Sequence, residues 1–235
     1  MSSQDVQNYD KNELLNHYQA VKSALDTANV LANRAASPCG LIAVSKTKPA
    51  TMIADLVAIG QQDFGENYLQ EALGKIDMLK DLPITWHYIG SIQRNKTRDI
   101  AKYFDWVHTI ERDVIAKRLN EQRAGLPPLN VLIQVNIDDE DSKSGCLPDE
   151  LPSLIRAMMD YENLRLRGLM VIPDKAGSDA FVRTKALFDA MAAQFELPHW
   201  DSLSMGMSHD MTDAVAQGAT MVRVGTAIFG ARDYR

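Results

Sequence analysis

Cysteine is scarce in this 235-residue chain: Cys39 and Cys146 are the only two. They stand far apart, and no CxxC or mixed Cys/His spacing accompanies them, so neither a disulfide framework nor a zinc ligand set is indicated. The reading is two reduced thiols in a cytoplasmic protein. No apolar run approaches the ~20 residues that span a bilayer, so no membrane partner is expected. The first residues, MSSQDVQNYDKNELLNHYQ, lack a basic start and an apolar stretch, which argues against a signal peptide. Positive charge is also in deficit. With 25 Lys and Arg against 31 Asp and Glu, the net charge is −6, the wrong sign for a general nucleic-acid binder. No GxGxxG follows an early strand, and the acidic loop Asp138 to Asp141 lacks the EF-hand pattern. His87, His108 and His209 have neither metal spacing nor a nucleophile beside them, so core or surface roles are their default and no metal is expected.

What remains is ordinary for a globular protein: 46% apolar and 24% charged residues, which excludes disordered, collagenous and fibrous classes. Residues 10–34 read as one leading helix, with Leu14, Tyr18, Val21, Leu25 and Ala28 at three- and four-residue steps. Ser37-Pro38-Cys39-Gly40 breaks it. Short apolar runs then alternate with helical patterns: strands at 41–46, 63–67, 86–92, 106–110, 130–137, 164–172, 202–207 and 220–224. Helices are predicted over 51–60, 68–80, 94–103, 112–124, 149–160, 178–195 with Ser178 as cap, and 209–217 with Ser208 as cap. Eight β-α units without an internal linker point to one (β/α)8 TIM barrel over 41–229, so that residues 1–235 form a single domain. An open doubly wound sheet is the alternative.

In such barrels chemistry sits where the strands end. Lys46 ends an apolar strand and shares parity with Ile42 and Val44. It is either a solvated strand-end lysine or an amine whose ammonium form is disfavoured by burial, ready for Schiff-base formation. Lys48 precedes Pro49 and is the poorer candidate. LSMGMS (203–208) and RVGT (223–226) close the seventh and eighth strands. Gly206 and Gly225 allow close backbone approach, and Ser204, Ser208 and Thr226 add hydroxyls, as a phosphate site would need; tight-turn glycine and serine capping would look the same. Arg223 points inward toward an anion or ring nitrogen, or outward to a helix carboxylate. Arg94, Lys96 and Arg98 read as a solvated helix face. Lys143, in the 138–145 loop after the fifth strand, either guides anions or is a flexible surface lysine.

The segments AVSKTKP (43–49), FGENY (64–68), HYIGSIQRNK (87–96), SKSG (142–145), GLMVIP (168–173), LSMGMSHDM (203–211) and VRVGTAIFGARDY (222–234) resemble, in order and through nearly the whole chain, the YggS/PROSC family of pyridoxal phosphate homeostasis proteins. Ser91 and Asp174-Lys175 depart mildly from that pattern. The resemblance implies a fold type III barrel similar to the N-terminal barrel of alanine racemase. It implies that Lys46 forms a Schiff base with pyridoxal 5′-phosphate, that Gly225 and Thr226 hold the phosphate with help from Ser204, Gly206 and Ser208, that Arg223 faces the pyridine nitrogen, and that Asn67 lines the pocket. An arginine there weakens the ring as an electron sink, which suits storage.

The resulting expectation is a monomeric carrier without a catalytic residue, supplying the cofactor to apo-enzymes. The alternatives are a fold type III amino-acid racemase, which would need a second proton donor from an added domain that the chain after the eighth unit leaves no room for, and a phosphosugar lyase using Lys46.

Overall fold

The computed structural model describes residues 9–140, 142–174 and 179–231. Helix α1 (Lys11–Leu31) leads. Asp10 caps it by accepting from the N–H groups of Asn12 and Glu13 at 2.8 and 3.2 Å, satisfying two donors that a helix start leaves open. Eight strands follow: β1 (Gly40–Val44), β2 (Asp63–Glu66), β3 (Thr85–Tyr88), β4 (Trp106–Ile110), β5 (Leu129–Gln134), β6 (Leu164–Met170), β7 (Ser202–Ser204) and β8 (Met221–Val224). All neighbours pair in parallel, and β8 returns to β1 with Ile42 opposite Arg223, so the sheet is a closed barrel in chain order. The fold is thus the (β/α)8 barrel of the sequence reading.

Between the strands run α2 (Ala50–Val57), α3 (Leu69–Met78), α4 (Thr97–Tyr103), α5 (Asp113–Arg123), α6 (Leu151–Met158), α7 (Ala180–Gln194) and α8 (Met211–Ala216), with a short α9 (Thr226–Phe229) after β8. Helix α1 packs across α8 and α9. The main apolar core lies between strands and helices, where Phe64, Val107, Leu129, Ile133 and Val222 are fully buried. Strands buried on both faces explain why β5 and its neighbours read as continuous apolar runs.

Several expected boundaries shift. β1 stops at Val44, so Lys46 lies in the turn beyond the strand and strand parity does not govern it. β3 and β7 are shorter than their apolar runs, because the chain leaves the sheet to shape the mouth. Ser208 does not cap the next helix. Asp210 stands at that position, and its Oδ1 accepts from Met207 N at 2.6 Å. The expected cap Ser178 lies outside the described residues.

The inside of the barrel mixes apolar and polar side chains. Ile42, Val44, Leu132 and Met170 are buried there beside His87, His108, Ser204 and Arg223, all at most 8% exposed. Burial, reinforced by His87 and Arg223, holds His108 well below the usual histidine range. The unfolded imidazole binds a proton near pH ~6.5 that the folded one refuses, so stability is full above that pH and is lost as pH falls toward the folded value. Urea midpoints measured between about pH 7.5 and 5 should decline below about 6.5, with a slope of up to about 1.4 kcal/mol per pH unit. His108→Gln should flatten that decline; an unchanged slope in the variant would assign the acid sensitivity elsewhere. Burial also pushes the thiols of Cys39 and Cys146 up to about 12, so neither should react with a thiol reagent at pH ~8 until the protein unfolds.

Candidate functional site

The strand exits converge on a cavity of about 280 Å³ at the C-terminal mouth. Lys46 and Lys48 reach it from the turn after β1, Asn67 from the end of β2, Ser208 and His209 from the loop after β7, and Arg223, Gly225 and Thr226 from β8 and its exit. Val44, Ile89, Ile172, Met207 and Phe229 supply apolar wall. Among the described residues no carboxylate lines it. Two lysines, an arginine and a histidine therefore gather at one opening of a chain whose net charge is −6, and such a focus favours an anion.

Six of the eight residues singled out in the sequence meet here: Lys46, Asn67, Ser208, Arg223, Gly225 and Thr226. Ser204 and Gly206 do not line the cavity. Ser204 is fully buried beneath it, where its Oγ accepts from Arg223 Nη1 at 2.7 Å and lies 2.9 Å from His108 Nδ1. Gly206 is a turn residue with φ +94°; a Cβ there would approach Ala214 Cβ to 2.6 Å, so its freedom serves packing against α8. Its carbonyl accepts from Arg223 N at 3.0 Å.

Arg223 is held on the cavity floor. Its second arm, Nη2, donates to the carbonyl of Val171 at 2.9 Å. Burial lowers its pKa to about 10, partly countered by Asp210, which leaves the guanidinium charged at neutral pH. The N–H groups of Thr226 and Ala227 open α9 and have no helical carbonyl to meet. Ser208 and Thr226 are among the cavity's lining residues. Asn67 Oδ1 is buried without a hydrogen-bond partner in the protein, as a site awaiting a ligand's donor would show.

The turn carrying Lys46 is pinned from below. Lys75, on α3 and 4% exposed, donates to Ser45 O at 2.7 Å, to Glu66 Oε1 at 2.7 Å and to Glu71 Oε1. Ser45 Oγ donates to Glu66 Oε1 at 2.6 Å, and Thr47 N donates to Glu71 Oε1 at 2.6 Å. Both neighbours of Lys46 are thereby fixed, and Thr47 is held at φ 63° in the left-handed region. Burial raises the Glu66 pKa, with Lys75 opposing. This cluster escaped the sequence reading. Glu71 and Lys75 show the helical i,i+4 spacing, but that pattern reads as a solvated surface pair.

Other openings differ in chemistry. An adjoining cavity of about 200 Å³ shares Asn67, Ile89 and Ile172 and reaches Lys143. Lys143 lies 3.7 Å from Asp138 and 3.4 Å from Glu140, so it is ion-paired. A larger, open depression of about 730 Å³ includes Glu111, Asp113 and Glu150 among its lining residues, a poor match for an anion. Among the described residues no cluster of three His, Cys, Asp or Glu side chains is placed to hold a metal ion, and no helix is long and apolar enough to cross a membrane.

Known proteins share this architecture. The alanine racemase N-terminal domain family matches residues 22–233. A pyridoxal phosphate homeostasis protein of Pseudomonas aeruginosa is 53% identical over 220 residues, which cover 91% of this chain and 94% of the relative. One from Escherichia coli K12 is 50% identical over 232 residues, 95% of this chain and 98% of the relative. Among solved structures, PipY of Synechococcus elongatus with pyridoxal phosphate bound superposes with TM-score 0.80 at 33% identity, covering 92% of this chain and 100% of that one.

Replacing Lys75 by methionine would leave Glu66 buried without its cation. Removing one partner of a buried pair costs about 3–5 kcal/mol. Urea unfolding of Lys75→Met should show a loss of that order, and the double variant Glu66→Gln/Lys75→Met should recover most of it. A single variant as stable as the parent would show that the cluster does not support the turn.

Proposed function

The chain belongs to the family of pyridoxal phosphate homeostasis proteins, and on that premise we propose that its barrel mouth binds pyridoxal 5′-phosphate through Lys46, for storage and delivery without turnover. The observation that carries this is the make-up of the cavity: an amine, a buried guanidinium and two hydroxyls, with no carboxylate among its described lining residues. When bound, the cofactor supplies an aldehyde carbon that condenses with an amine and releases water. Lys46 supplies that amine. Ser208, Thr226 and the opening N–H groups of α9 hold the phosphate, with Gly225 letting the backbone come close. The structure supports a different part for Ser204 and Gly206, which act on Arg223 from beneath the cavity.

Arg223 faces the ring nitrogen in this reading. A charged guanidinium there donates a hydrogen bond and disfavours protonation of that nitrogen, so the ring withdraws electrons weakly and carbanions at a bound amino acid gain little. The wall also lacks a tyrosine among its lining residues. Tyr88 donates its hydroxyl to Ser91 O at 3.1 Å, and Tyr68 lies exposed. A second proton donor of the kind racemisation requires is thus not supplied by these two. The protein acts in the cytoplasm as a monomer that passes cofactor to apo-enzymes; two separate buried thiols suit a reducing compartment.

Purified protein given pyridoxal phosphate should develop a near-visible absorbance band that is lost in Lys46→Ala. No band in the wild type would overturn the reading. Ser208→Ala and Thr226→Val each remove one donor to a charged phosphate, worth about 1.5–3 kcal/mol, so each should raise the cofactor's Kd by roughly tenfold or more. Deuterium exchange at the α-carbon of alanine at enzyme-like rates would overturn the claim of storage without turnover.

A further inference from the structure

One side chain from each of five strands forms a continuous hydrogen-bonded chain through the barrel. Asp63 Oδ1 lies 2.9 Å from His87 Nε2, His87 Nδ1 lies 3.0 Å from His108 Nε2, His108 Nδ1 lies 2.9 Å from Ser204 Oγ, and Ser204 Oγ accepts from Arg223 Nη1 at 2.7 Å. Asp63 begins β2, at the end of the barrel opposite the mouth, and its side chain is 47% exposed. His87 and His108 are 1% and 0% exposed, and Trp106 stacks on His87 with ring centroids 5.6 Å apart. Neither histidine entered the sequence reading as functional.

The ends of this chain dictate its direction. A guanidinium can only donate and a carboxylate can only accept. The Asp63 carboxylate accepts from His87 Nε2, and in the arrangement that follows His87 Nδ1 accepts as well. His108 must then donate from Nε2, leaving its own Nδ1 to accept, and the Ser204 hydroxyl must donate to that nitrogen. This arrangement satisfies every link, with a Ser204 oxygen lone pair facing Arg223. Burial keeps His108 neutral, as the arrangement requires.

We infer that Asp63, His87, His108 and Ser204 are positioning residues for the cofactor: the carboxylate at the closed end sets the tautomers of both rings, and Ser204 passes that order to Arg223, fixing the guanidinium that meets the ring in the mouth. This rests on the cofactor reading above. The exposed end can be altered without disturbing the core. Asp63→Asn offers His87 both a donor and an acceptor, so neither tautomer is enforced, and it removes the anion that polarises the chain. Asp63→Glu keeps it.

The test combines ¹⁵N resonances of the histidine rings with absorbance titrations of full-length protein using pyridoxal 5′-phosphate. Wild type should carry the His108 proton on Nε2, and in Asp63→Asn a measurable share should shift to Nδ1. Cofactor affinity should fall roughly two- to thirtyfold in Asp63→Asn, the range of coupling through a contiguous network, and stay near wild type in Asp63→Glu. A wild-type His108 protonated at Nδ1 would overturn the inference even if a variant failed to accumulate. Wild-type uptake matched by Asp63→Asn would sink this inference alone, whereas a wild type that takes up no cofactor would sink it together with the binding reading.

Discussion

Arg223 sits 6% exposed at the floor of the barrel mouth, with its two arms bonded to the neutral oxygens of Ser204 and Val171. A cation buried against neutral acceptors is only partly compensated. Much of the interior follows from that. The strands around it carry polar side chains where a barrel of this kind usually stacks branched apolar ones, and the hydroxyl and imidazoles beneath it are joined rather than scattered. Above it, the described residues of the mouth's wall include no carboxylate. The same partly compensated charge lies at the opening, where it favours an anion.

The mouth divides its tasks between regions built differently. The turn with Lys46 is held from outside the barrel, by an ion cluster beneath it on β2 and α3. The guanidinium is held from inside, by β7 and the floor of the sheet. Ser208 and Thr226 come from the exits of β7 and β8, where the chain is short of regular structure. In the proposed reading, a lysine that bonds and later releases the cofactor needs a fixed attachment point more than a tightly packed side chain. Pinning Ser45 and Thr47 provides that while Lys46 itself remains partly exposed.

Eight apolar runs alternating with helical periodicity were enough to read the barrel, because parallel strands covered on both faces leave a strong and simple pattern. Element ends were less legible. β1 stops two residues before Lys46, and Asp210 rather than Ser208 stands at the start of α8, because loop geometry at the mouth overrides local capping preference. The site residues after β1, β2 and β8 were legible since chain position at a strand exit implies the mouth. Ser204 and Gly206 lie close by in sequence, but one side chain turns under the arginine and the other glycine fits against α8.

The sequence by itself determined the class of fold, the placing of Lys46, Asn67, Ser208, Arg223, Gly225 and Thr226 at strand exits, and the absence of any metal-ligand spacing. Those are local patterns, readable within a few residues. Only the tertiary structure decided that Lys75 supports the lysine turn, that His87 and His108 meet, and that a carboxylate at one end of the barrel is linked to an arginine at the other. Those contacts join residues 9 to 96 positions apart. They exist because closing eight strands brings alternate side chains from distant segments onto one interior, and no periodicity along the chain reports which of them will touch.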